Sequence, residues 1–239
     1  MRLEKEVDIQ DIVVGSHNRP DILVAVPTLG KVPIEFWVAS SRLQYPINGK
    51  IRTHVAKGLE VGEARNSAVE YIMSMPKGDR PKWLFFLGDD MLPPWDGFVK
   101  LYEEAVKGDW DCLTGLYRMK QDGFPVFLTW RNDVIGRMIP GVHYKVGDVI
   151  DVDLTGLDFT LIKVSLLEKM TGPYFKTGPS LSRDVPNNTK YGGSENKTGI
   201  VLHTEDVWFY NKVKELGGRS GVATGIRVAH LDVSTGWIY

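Results

Sequence analysis

Two adjacent carboxylates, Asp89 and Asp90, follow Gly88 directly after the apolar run Trp83-Leu84-Phe85-Phe86-Leu87. Neighbouring acids repel unless a cation or hydrogen-bond donors hold them, and a hard divalent ion is the economical answer. The plainer reading is a turn ahead of Pro93-Pro94. Thr204-Glu205-Asp206 is a second acidic group. A threonine N-cap with acids in the first helical turn is accounted for by capping and the helix dipole alone. The functional reading makes one of these carboxylates a general base facing a cleft. His230 closes Arg227-Val228-Ala229-His230. A lone histidine there is more often structural. Beside Asp90, however, a neutral imidazole would complete a mixed oxygen and nitrogen set suited to manganese slightly more than magnesium. His203 adjoins the acidic triplet and could touch substrate. Arg65, in Ala64-Arg65-Asn66, is by default a solvated residue, but near a helix start it could meet a diphosphate or a nucleobase.

Positioning these groups requires strands that end where they begin. Ile22-Leu23-Val24-Ala25-Val26, stopped by Pro27 and Gly30, predicts a central strand buried on both faces. A helix near 33–43 and a strand near 51–56 follow. Val61, Ala64, Ala68, Ile72 and Met75 recur at helical spacing until Pro76. A strand at 82–87 and a helix at 96–106 complete a β-α-β-α-β order, the pattern of a doubly wound, mostly parallel α/β sheet. Several short apolar runs over 111–163 predict a mixed sheet with hairpins added to that half. A short helix near 164–170 leads into a polar tract at 176–199, read as a long functional loop. A helix at 205–216 and a last strand at 225–230 finish the pattern, and residues 12–14 suggest a short strand near the start.

Composition bounds the function. The chain has 239 residues with a net charge of -1, and 43% of its residues are hydrophobic. This predicts one soluble domain over 1–239 and argues against a nucleic-acid or anionic-membrane binder that works by bulk charge. The single cysteine, Cys112, excludes an intrachain disulfide and a cysteine-rich zinc site. The charged start MRLEKEVDIQ lacks a signal-peptide core. No apolar run approaches the roughly 20 residues of a transmembrane helix. The expectation is a cytoplasmic protein.

Taken in order, Pro27-Thr28, Gly62-Glu63-Ala64-Arg65-Asn66, Phe86-Leu87-Gly88-Asp89-Asp90, Thr155-Gly156, Thr204-Glu205-Asp206-Val207-Trp208-Phe209 and a late His230 form a series. It resembles the GT-A glycosyltransferases, most closely the large inverting family that includes cellulose and chitin synthases and soluble bacterial and phage sugar transferases. The resemblance spans about residues 20–232. It implies a Rossmann-like GT-A domain with a nucleotide-binding half over about 20–110 and an acceptor-side half over about 111–232. It also implies a UDP- or GDP-sugar donor, a saccharide or other hydroxyl acceptor, and Mn2+ or Mg2+ on the donor diphosphate. Asp90 and His230 would be the metal ligands. Pro27, Thr28 and Arg65 would line the nucleotide pocket, and Asp89 would lie near the donor ribose or sugar. Asp206 would be the base, with Glu205, His203 and Gly156 on the acceptor side. Two departures stand out. Gly88 replaces the first acid of the usual Asp-x-Asp, and no acid follows the second strand to read uracil, so the base is left open. The Gln-x-x-Arg-Trp motif of the processive synthases is absent, which points to single addition.

Two rivals belong to other classes. A sugar-phosphate nucleotidyltransferase needs a glycine-rich basic loop after the first strand, which Pro27-Thr28-Leu29-Gly30-Lys31 fits poorly. A non-catalytic nucleotide- or carbohydrate-binding protein, with the acids as remnants, is consistent with Gly88.

Overall fold

The computed structural model describes residues 21–121, 124–127, 129–131, 134–137, 144–181, 194–195 and 200–239; the strand expected at 12–14 lies outside them. The chain runs β1 (Asp21–Thr28), α1 (Ile34–Arg42), β2 (Lys50–Lys57), α2 (Val61–Ser74), β3 (Trp83–Leu87), β4 (Met91–Leu92), α3 (Gly97–Lys107) and β5 (Cys112–Leu116). Short strands follow: β6 (Arg118–Gln121), β7 (Phe124–Phe127), β8 (Thr129–Arg131), β9 (Val134–Arg137), β10 (Val149–Asp151) and β11 (Leu154–Thr155). Then come β12 (Phe159–Lys163), α4 (Val164–Leu167), β13 (Gly178–Leu181), β14 (Ser194–Glu195), β15 (Ile200–His203) and α5 (Glu205–Glu215). β16 (Ser220–Arg227), β17 (Ala229–Asp232) and β18 (Trp237–Ile238) end it.

The central sheet has seven strands in the order β10-β16-β5-β12-β3-β1-β2. β1, β2, β3, β5 and β16 point one way, β10 and β12 the other. Alternate residues of its strands feed two cores. Leu23, Ala25, Leu84, Phe86 and Ile162 meet Ala68, Val69 and Ile72 of α2 and Val207, Phe209 and Val213 of α5. On the other face Ile22, Val24, Phe85 and Leu161 meet Phe36 of α1 and Phe98, Leu101 and Ala105 of α3. With both faces covered, every residue of β3 is buried, which is why the run reads as continuously apolar. α2 begins where the Glu60 carboxylate accepts the Gly62 and Glu63 amides, and it stops before Pro76. Among the described residues no helix is long and apolar enough to cross a membrane.

Three expectations change. First, β5, β10 and β12 enter the central sheet, leaving only the other short strands to form small side sheets. Second, the polar tract at 176–199 is not wholly loop. β13 and β14 pair antiparallel with β15, and the rest of the tract lies outside the described residues. Third, the single strand expected at 225–230 is divided. β16 shifts register between Ala223 and Arg227, and β17 leaves the central sheet to pair with β4. A bulge of this kind bends a strand and re-aims the residues beyond it.

Phe159 locks the sheet beside α3. It is fully buried, and its ring stands perpendicular to Phe85 at 5.0 Å. It also lies where a β-carbon on Gly115 would come within 2.8 Å. Phe159→Ala is expected to destabilise the fold by roughly 3–5 kcal/mol through lost transfer energy and a residual cavity. Denaturant unfolding measures this, and a loss below about 1 kcal/mol would show that the site collapses freely.

Candidate functional site

The carboxyl ends of β1 and β3 place Pro27, Thr28, Asp89 and Asp90 together, as open α/β sheets place ligand sites. Pairing between β1 and β3 ends at Ala25–Phe86, so Pro27 sits on an overhang paired only with β2 and its missing N–H disrupts no shared ladder. The Thr28 hydroxyl accepts the Gly30 amide at 3.0 Å and donates to the Asp89 carboxylate. Burial pushes the Asp89 carboxyl above its ordinary pKa, against the pull of Thr28.

Asp90 and His230 meet through backbone pairing. His230 lies opposite Met91 in the β4–β17 ladder, and the Leu231 amide donates to the Asp90 carbonyl at 2.9 Å. The His230 Nδ1 is 2.9 Å from the Arg118 carbonyl, which can only accept, so Nδ1 carries a proton. Nε2 then faces Asp90 Oδ2 at 3.0 Å. Two acceptors this close must share a cation, either a proton or a metal ion. Without metal the proton takes that place, and the hydrogen bond to Asp90 raises the imidazole pKa.

The donor set also fits a divalent ion. One carboxylate oxygen and one imidazole nitrogen converge, and the outer ring nitrogen is pinned to a carbonyl, the usual arrangement behind a ligating histidine. Among the described residues no group of three or more His, Cys, Asp or Glu side chains is arranged for a metal. The remaining positions would fall to substrate oxygens and water, which is common for ions held on phosphates.

Arg65 stands apart from what its sequence context suggested. It was expected to line a nucleotide pocket, yet it is 2% exposed and its guanidinium is ion-paired with Asp158 at 2.5 Å and with Glu205. Its planar end lies 5.7 Å from the centre of the Phe86 ring. Ala64 and Ala68 keep this helix face small, and a β-carbon at Gly62 would come 3.0 Å from the capping Glu60 carboxylate and 3.3 Å from the Thr177 hydroxyl. Glu205, expected on the acceptor side, is also buried, and it accepts a bond from the Thr177 hydroxyl at 3.3 Å. It is turned inward.

Asp206, the next residue, is half-buried. Its Oδ1 accepts from the Thr204 hydroxyl and from the Val207 amide at 3.1 Å. Thr204 therefore does not cap α5 with its side chain as expected; it binds the carboxylate instead. Burial first, and the charge of Glu205 second, push the Asp206 carboxyl up to about 6. Gly156 is buried, and its carbonyl accepts from the Thr160 hydroxyl at 3.2 Å. The backbone of His203 belongs to β15, and its side chain lies outside the described residues.

Two contributors escaped the sequence reading. Asp158 precedes β12, and its amide donates to the Tyr117 hydroxyl at 3.2 Å. The only signal was a lone acid in an apolar run, Leu157-Asp158-Phe159. Asn66 anchors the segment leading into the polar tract: its side-chain oxygen accepts the Tyr174 and Phe175 amides, both at 3.0 Å, and its nitrogen donates to the Phe175 carbonyl at 2.7 Å.

Arg65→Ala would strand Asp158 and Glu205 without their cation. A loss of about 3–5 kcal/mol in unfolding free energy is expected, as for other broken buried pairs. Arg65→Lys should recover only part of it, because an ammonium lacks the fixed fork that serves two carboxylates. Equal stability of Arg65→Ala and the parent would contradict the pairing.

No protein-family model matches the chain, and no curated protein matches it in sequence. Among solved structures it is similar to A197 from STIV, with a TM-score of 0.56 and 20% identity over 91% of this chain and 92% of that one. It is also similar to GalNAc-T7, solved with UDP, GalNAc and Mn2+, at a TM-score of 0.55 and 10% identity. That likeness covers 89% of this chain and 44% of the other, so this chain spans less than half the length of that protein. At such identities the likeness is one of fold. A mainly parallel seven-stranded sheet flanked by helices, with small sheets beside it, is consistent with a GT-A-like Rossmann architecture.

Proposed function

We propose that this chain is a glycosyltransferase that moves a sugar from a nucleoside-diphosphate donor to an acceptor hydroxyl, with a divalent metal and with inversion. The observation that carries the reading is the Asp90–His230 pair, 3.0 Å apart at the carboxyl edge of the sheet with its imidazole orientation fixed by Arg118. GalNAc-T7, the structural neighbour bound to UDP and Mn2+, supports it. So does the surplus of negative charge. Asp158, Glu205 and Asp206 lie around one buried arginine, Asp90 acts on both Asp158 and Asp89, and an anionic diphosphate could not approach this cluster without a cation.

In this reading Asp90 and His230 hold the ion, and Thr28 keeps Asp89 aimed at the donor. The bound metal would offset the charge that grows on the departing nucleoside diphosphate. Asp206 removes the proton from the acceptor hydroxyl as its oxygen bonds to the anomeric carbon. The bond from that carbon to the phosphate oxygen breaks, and the electron pair leaves with the diphosphate. With Oδ1 engaged by Thr204 and Val207, the other oxygen of Asp206 is the one that serves. UDP and GDP are the candidate nucleotides, and a saccharide or another hydroxyl compound is the acceptor.

Calorimetric titration of the protein with UDP and with GDP, with and without Mn2+, tests the reading directly. Metal-enhanced binding of one nucleotide is expected. Asp90→Asn and His230→Ala should each remove most of that enhancement at a nearly unchanged melting temperature. Undiminished enhancement in both variants would rule out the assigned ligands.

The base makes a separate prediction about rate and pH. A folded pKa near 6, above the ordinary 3.8, means that Asp206 gains its proton as pH falls through 6. Turnover should therefore drop on the acid side with a midpoint near that value. The same shift opposes folding as pH rises from the ordinary value towards 6, because the ionised form is the one burial disfavours. Asp206→Asn should lower kcat by about 10²–10⁴ while leaving nucleotide binding nearly intact. An acid limb that persists unchanged in that variant would assign the base elsewhere.

A further inference from the structure

The glycine at position 88 and the acid at position 158 are two sides of one packing fact. A β-carbon built on Gly88 would lie 2.9 Å from the Asp158 Cβ, 3.1 Å from its Cγ and 3.2 Å from its Oδ1. The Asp158 carboxylate thus occupies the space that a side chain at position 88 would need. The two segments cannot drift apart to make room. The Gly88 amide donates to the Asp158 carbonyl at 2.8 Å, and Leu87 pairs with Phe159 in the ladder. Asp158 is reached this way because β12 runs antiparallel to β3, so its first residues lie beside the last residues of β3.

The carboxylate is also aimed. Oδ1 is held by the buried Arg65 at 2.5 Å, the Asp158 side chain as a whole is 34% exposed, and its second oxygen has no hydrogen bond or ion pair to another described residue. Asp90 and His230 both act on it electrostatically. A charged oxygen so placed beside a cation site accepts hydrogen bonds and has nothing of its own to donate.

We propose that Asp158 supplies the carboxylate missing at position 88 and is a donor-binding residue, its free oxygen accepting a hydrogen bond from the metal-nucleotide complex. The partner is either a ribose hydroxyl or a water on the ion. This rests on the glycosyltransferase reading above.

Titration calorimetry with UDP or GDP and Mn2+, run beside thermal melting, tests the proposal on Asp158→Asn, Asp158→Gly, Gly88→Asp and the double variant Gly88→Asp/Asp158→Gly. Asp158→Asn should weaken nucleotide binding about 10- to 100-fold, the worth of a hydrogen bond to a charged group. Gly88→Asp alone should lower the melting temperature because its side chain has no room. The double variant removes the obstruction and restores an acid in the same space, so its affinity should return to within about one tenfold step of the parent. Nucleotides lacking the ribose 2′- or 3′-hydroxyl identify the partner. A penalty for Asp158→Asn that vanishes with one of them names that hydroxyl, and a penalty that persists with both names the bound water.

Unchanged affinity in Asp158→Asn with a lowered melting temperature would make Asp158 only the counter-ion of Arg65 and overturn the proposal. So would a folded double variant that binds no better than Asp158→Gly. A parent protein that binds neither nucleotide defeats the functional reading itself, an outcome separate from either of these.

Discussion

One guanidinium, that of Arg65, is withdrawn from water between two carboxylates that come from distant parts of the chain. A charge so buried is tolerated only if its partners are ionised and close. That condition fixes three elements at once: the start of α2, the residue leading into β12, and the first turn of α5. It also separates the two acids of the Glu205-Asp206 pair, since only Glu205 is ion-paired with Arg65. Successive residues on a helix diverge by about 100°, so drawing Glu205 inward to Arg65 turns Asp206 to another side. The direction of the proposed base is therefore a consequence of a structural ion pair.

The second constraint is strand direction. In a purely parallel sheet every strand would reach the site with its last residues, and all functional side chains would come from the segments after those strands. β12, inserted antiparallel between β3 and β5, brings its beginning there instead. This is how Asp158 arrives beside Gly88. The register shift in β16 does comparable work at the other side, releasing β17 to pair with β4 and bringing His230 against Asp90. Local departures from a regular parallel sheet thus bring Asp158 beside Gly88 and His230 against Asp90.

The first half of the fold was legible because its signals are local. Continuous apolar runs marked β1 and β3, and the spacing of Ala64, Ala68 and Ile72 marked α2. Asp89, Asp90 and the Thr204-Glu205-Asp206 triplet stand out as candidates because each adjoins the end of a strand or helix. What could not be read was pairing. Nothing in Leu157-Asp158-Phe159 says that the adjoining strand runs backwards, and nothing in Ala64-Arg65-Asn66 says that Arg65 turns inward to protein carboxylates. Asn66 illustrates the same limit, since its side chain serves a backbone segment more than a hundred residues away. The strand at 225–230 was misjudged because its interruption depends on a partner, β4, that is only two residues long.

The separation along the chain of the paired groups has a consequence for synthesis. Arg65 and Glu205 are 140 positions apart, as are Asp90 and His230. A nascent chain emerging from the ribosome can assemble β1, β2, β3 and their helices early, since those elements all precede residue 108. It cannot complete the first pair before Glu205 is made or the second before His230 is made, and closing such long loops is entropically late. Throughout that interval Arg65 has no Glu205 to bury against and Asp90 has no imidazole. Assembly of both charge pairs is thus tied to translation of residues 205–230, the stretch that also supplies α5 to the core and β16 to the central sheet.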